Sequence, residues 1–159
     1  MKHSGVIAVF LSFPLWASVD FDPDEFRNVT MRAIPLTQPL RIDAVLDEPL
    51  YDSPSFKTFI QLDPHNGKPA SEKTETWIGY DDAALYIGAR LWDSHPDSIV
   101  GRMGRRDDET NSDQFQVAVD SYHDQRSAFF FLINPSGTIM DGTISNDSWF
   151  DTTWDGVWE

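Results

Sequence analysis

The stretch Asp113–Asp120, DQFQVAVD, sets Phe115, Val117 and Val119 on one side of the chain and Gln114, Gln116 and Ala118 on the other. That period of two belongs to a β-strand with one buried face and not to a helix. Ser121–Gln125 has turn composition, and RSAFFFLI (Arg126–Ile133) follows as a nearly continuous apolar run. Such a run fits a strand covered on both faces. Asn134-Pro135-Ser136-Gly137 is a strong turn signal, and TIMDGTI (Thr138–Ile144) is the next expected strand.

Working outward, TETWIGY (Thr74–Tyr80), the turn Asp81–Ala84 and LYIGARLW (Leu85–Trp92) make a second hairpin. Trp77 and Trp92 alternate within these strands, which makes both of them expected core residues. Asn28–Ile34, Leu40–Ile42 and Phe56–Leu62 have the composition of shorter strands, and one helical turn is expected around Asp47–Asp52. Asp63–Lys73 and Asp93–Ser112 are polar loops. Short strands separated by turn residues predict an all-β fold, an antiparallel β-sandwich of the jelly-roll kind.

The chain has 159 residues with a formal net charge of −14, 13% aromatic residues and no cysteine. The absence of cysteine excludes disulfides, thiolate nucleophiles and iron–sulfur clusters. The acidic balance makes nucleic acid a poor partner, because phosphate binding needs a surplus of Lys and Arg. It suits a soluble protein, a cation-binding protein or one that meets a neutral ligand such as a sugar.

Residues 1–17, MKHSGVIAVFLSFPLWA, combine a basic start, an apolar run too short to span a bilayer, and a small residue before an acidic stretch. This is the three-part pattern of a secretory signal peptide. It predicts export, to the periplasm, the outer membrane or the medium. Residues 18–38 form a lead-in segment, and residues 39–159 form the expected module.

Five motifs in order carry a resemblance. Arg41–Glu48, RIDAVLDE, with Tyr51 after it, is similar to an "IDG-x-LDE" opening that is followed by an aromatic. Trp77–Asp81 with Leu85–Ile87, Asp113–Asp120, and Phe129–Gly137 are similar to the hairpin, central strand and "NPxG" step of the same family. From about Leu40 to Glu159 the chain resembles the family 9 carbohydrate-binding modules, in a form found at the N-terminus of longer exported proteins. The resemblance implies a non-catalytic sugar-binding sandwich, structural calcium, and association with glycoside hydrolysis through a parent protein. It also implies further closing strands after Glu159 and contact with a C-terminal β-rich region, of the outer-membrane barrel kind. On this view the sandwich is incomplete at its C-terminus.

Family members grip a sugar between two aromatics, one of them in the loop before Asp113. Here that loop, Gly101–Ser112, holds no ring, and Thr110 stands nearest its place. Trp149, Phe150 and Trp154, in a polar stretch unlike a core strand, are the substitute stacking platform, with Tyr122 at the same end of the strands. The alternative for these rings is that they fold back to cover one end of the sandwich. Arg105 and Arg106, with Arg102, suit an anionic sugar or ion pairs with neighbouring aspartates, and ion pairing is preferred. Alternating hairpins place this arginine loop at the end opposite the platform unless the tail crosses over.

For calcium, Asp107, Asp108 and Asp113, with Glu109, form one dense acidic set and Asp141, Asp147 and Asp151 another; neither has EF-hand spacing. No carboxyl pair is singled out for glycoside hydrolysis, His65, His95 and His123 lack zinc-ligand spacing, and no Gly-x-Ser-x-Gly elbow occurs. The chain is therefore expected to recognise and not to catalyse. The rival to a glycan ligand is a structural role, a protein-interaction domain of an outer-membrane protein.

Overall fold

A computed structural model describes residues 29–146 and 148–159. The export signal at 1–17, the lead-in up to residue 28, and Asp147 lie outside the described residues. The described chain is all-β: a three-stranded sheet, order β1-β2-β3, and a four-stranded sheet, order β4-β5-β6-β7, which is the strand content of a β-sandwich. It divides into two compact units, one of residues 29–60 with 67–94, the other of 61–66 with 95–159.

The first unit holds β1 (Ile34–Pro35), β2 (Thr74–Tyr80) and β3 (Leu85–Leu91). β2 and β3 pair antiparallel as the expected hairpin, with Trp77 opposite Gly88. Asp81 closes the turn: its carboxylate accepts the N–H groups of Ala83 and Ala84, both at 2.8 Å, and the Tyr86 hydroxyl at 2.9 Å. β1 runs parallel to β2, Ile34 opposite Gly79, so the last residues of the lead-in belong to the sheet. Every other strand pair is antiparallel.

The expected helical turn is a 3₁₀ turn at Pro49–Asp52 that inserts Leu50 and Tyr51 against β2 and β3. Trp77 is buried; its ring meets Tyr51 edge-on at 5.5 Å and its indole N–H donates to the Ser53 carbonyl at 3.0 Å. The Tyr51 ring lies so close to Gly88 that a Cβ there would stand 2.3 Å from it, so only glycine admits this aromatic. Burial raises the pKa of the Tyr51 phenol above its ordinary value.

Three expected strands shrink. Of the described residues 29–34 only Ile34 is in a strand, Leu40–Ile42 is irregular, and Phe56–Leu62 makes two isolated bridges, Phe56 to Thr76 and Ile60 to Pro69. Pro35, Pro39 and Pro54 flank these pieces, and a strand without N–H donors cannot extend a ladder. Trp92 also departs from the core expectation: it is 37% exposed, and Lys73 lies 3.9 Å above its ring.

The second unit holds β4 (Phe115–Val119), β5 (Ser127–Ile133), β6 (Ile139–Ser145) and β7 (Trp149–Asp151). Register sets Gln116, Ala118, Phe130, Leu132, Gly142 and Ile144 on one face, where Phe130, Leu132 and Ile144 are buried. Phe115, Val117, Val119, Phe129 and Phe131 point to the other. Asn146–Trp154 supplies no core strand but a short exposed edge strand, β7, in which Phe150 pairs with Ile144 and its ring meets Phe130 at 5.4 Å. The pairing is tight because Gly142 has no side chain; a Cβ there would sit 2.2 Å from the Asp151 carbonyl oxygen.

Candidate functional site

At one end of the four-stranded sheet, the turn between β4 and β5 lies on the same side as the turn between β6 and β7, by the antiparallel order of the strands. The first turn is laced by its own carboxylates. Asp120 accepts the N–H of Gln125 at 2.8 Å, and Asp124 accepts those of Arg126 and Ser127, both at 2.8 Å. His123 and Gln125 take positive φ values of 53° and 56° within it. A fixed turn of this kind holds Tyr122 out, 75% exposed. Trp149 begins β7 opposite Ser145, so its backbone is held by strand pairing while its side chain is 70% exposed. Two of the four rings expected in the platform, Tyr122 and Trp149, therefore stand at one end of the sheet, open to solvent.

The other members of the expected site divide. Phe150 is half exposed but engages Phe130. Trp154 is not a platform residue: the tail folds back and lays its ring on Phe129 at 4.6 Å and near Phe131 at 6.1 Å. Trp158 follows onto Phe131 at 5.4 Å. This is the covering role set out above as the alternative, and apolar area explains it, since β5 presents two phenylalanines on that face.

The tail does cross to the arginine loop. Arg106 donates through Nη2 to Asp141 and to the Gly156 carbonyl at 3.1 Å, and through Nε to Asp155 at 3.2 Å. Asp141 has no exposed surface, and the Gly156 N–H is its second donor. Arg106 is thus the counter-charge of a buried carboxylate and the fastening of the tail, not a sugar ligand. Arg105 is exposed, and its N–H donates to Asp108 at 2.9 Å. The loop is anchored from the other side by Asn134, whose amide donates to the Arg102 carbonyl at 2.7 Å and to Thr110 at 3.2 Å.

The expected calcium set is not gathered. Asp113 accepts the Val100 N–H at 2.8 Å, Asp108 that of Arg105, and Asp107 that of Asp141 at 3.2 Å. Among the described residues of this unit, the carboxylates lying within 4.8 Å of one another are Asp107, Asp141 and Asp155. Arg106 bonds to two of them and stands 3.6 Å from the third. A guanidinium occupies the place of a cation, so this donor set does not fit calcium as it stands. Sequence could not show the grouping, because Asp141 and Asp155 lie 35 and 49 positions from Arg106.

Resolved shifts among the carboxylates run downward. Asp81, Asp124 and Asp151 are held below the ordinary aspartate value by backbone and hydroxyl donors of their own turns, and Glu75 by Lys57 and Lys73. Comparison with family models, with characterised proteins and with solved structures gives no match. The likeness to family 9 modules therefore rests on the five motifs quoted above.

Proposed function

We propose that the chain is a non-catalytic recognition module of an exported protein and that it binds a glycan through Trp149 and Tyr122. The observation that carries this reading is Trp149, an indole 70% exposed on a backbone held by strand pairing. Exposed large aromatics on fixed backbone cost free energy in water and are placed to stack on the C–H faces of sugars, while nearby polar groups take hydroxyls. Ser148, Asn146 and His123 surround the two rings in sequence. A link to polysaccharide breakdown through a parent protein follows from the family resemblance.

The test is a panel of neutral oligosaccharides titrated into the folded chain, followed by tryptophan fluorescence. Saturable binding that disappears in Trp149→Ala supports the proposal; binding that survives in that variant removes it. One observation favours a second reading, a protein partner: β7 is the outer strand of its sheet and exposes both Trp149 and Phe150. An added strand there, from a β-rich region such as an outer-membrane barrel, would use the same rings.

A further inference from the structure

The three-stranded sheet carries a second aromatic cluster, with three cationic side chains beside it. Glu75 pairs with Arg90 and Trp77 with Gly88, so alternation puts Glu75, Trp77 and Arg90 on one face. The Trp92 N–H donates to the Lys73 carbonyl at 2.9 Å, which carries that register on by one pair. The Arg90 guanidinium carbon stands 6.0 Å from the Trp77 ring centre and 5.9 Å from that of Trp92. Two rings therefore restrain an arginine whose N–H fork, among the described residues, makes no hydrogen bond or ion pair.

The neighbouring charges reinforce it. Lys57 and Lys73 both close on Glu75, at 3.0 and 3.1 Å, and Glu75 is only 8% exposed. Lys57, Lys73 and Arg90 thus face a single carboxylate, and Lys73 also lies 3.9 Å over the exposed ring of Trp92. Glu72, the next acid in sequence, is engaged by Ser94 at 2.6 Å. Glu72 and Asp93 stand next to Lys73 and Trp92 in sequence. What sets the cluster apart is therefore the close grouping of Lys57, Lys73 and Arg90 about the buried Glu75, and not a net positive charge.

We infer that Arg90, Lys73 and Trp92 form a binding site for the carboxylate of an acidic sugar. The planar fork of Arg90 takes a carboxylate in two parallel hydrogen bonds, and stacking restrains the side chain in advance, which lowers the entropy lost on binding. Lys73 supplies a second cation, and Trp92 an apolar edge for the ring that bears the acid. The site is independent of the platform at Trp149 and Tyr122: it lies in the other compact unit and takes a charged ligand.

The test is calorimetric titration of the folded chain with oligogalacturonide at low salt, beside a neutral oligosaccharide of the same length and inorganic phosphate. Saturable binding of the uronide is expected, weakened about tenfold or more in Arg90→Gln. Arg90→Lys keeps the charge but not the fork and is expected to lose most of the affinity. A wild-type chain that ignores the uronide, that binds it unchanged in Arg90→Gln, or that loses phosphate or neutral-sugar binding as strongly as uronide binding in Arg90→Gln overturns the inference. Loss in Trp149→Ala with Arg90→Gln unaffected would assign acidic-sugar binding to the platform instead.

Discussion

Asp141 has no solvent-exposed surface, and a carboxylate in that position is tolerable only because Arg106 and the Gly156 N–H meet it. Removing the cation leaves a buried, half-satisfied charge. Arg106→Ala is therefore expected to destabilise the fold by about 3 kcal/mol, the low end for a broken buried pair because Arg106 itself is partly exposed. Urea unfolding measures this, and the double variant Arg106→Met with Asp141→Leu is expected to recover part of the loss. A second consequence concerns acid. The folded-state pKa values of Asp81, Asp124 and Asp151 lie below their unfolded values, so their contribution is complete above about pH 4. It is lost as the pH falls through the lowered values. Unfolding midpoints should accordingly hold between about pH 7 and pH 5 and drop below about pH 4, less steeply in Asp124→Asn.

At the scale of elements, two close approaches decide local order. Gly88→Ala would drive a methyl into Tyr51, which must leave its place beside Trp77. The expected cost is about 1–3 kcal/mol with a change in tryptophan emission, measured by denaturation and fluorescence. Gly142→Ala would strike the Asp151 carbonyl and the Phe130 ring and so loosen β7. Amide exchange at 149–151 should rise in that variant while β4–β5 stays protected. The strands legible in sequence were those where alternation and turn chemistry agreed: Asp81–Ala84 between β2 and β3, Ser121–Gln125 between β4 and β5, and Asn134–Gly137 between β5 and β6. β7 was hidden because three residues give no period, and its existence depends on the space left at Gly142. Leu40–Ile42 failed for the converse reason: its residues suit a strand but meet no ladder.

Over the whole molecule, the all-β class and the placing of Tyr122 and Trp149 at one end of the four-stranded sheet were legible in the sequence, since both follow from strand order. The destination of the tail was not. Trp154 and Trp158 reach Phe129 and Phe131, and Asp155 reaches Arg106, through contacts between residues far apart in sequence. The same distance effect delivered Asp141 to an arginine 35 positions away. The exposed position of Trp92 was equally hidden, because alternation gives the face of a side chain and not what covers it. The central claim is that Trp149, with Tyr122, forms a sugar-stacking platform. The most direct measurement is binding of folded wild-type, Trp149→Ala and Tyr122→Ala chains to an array of neutral glycans. Saturable wild-type binding, abolished in Trp149→Ala and weakened in Tyr122→Ala, is the predicted result. A folded wild-type chain silent on every neutral glycan, or binding one equally well without Trp149, would contradict it.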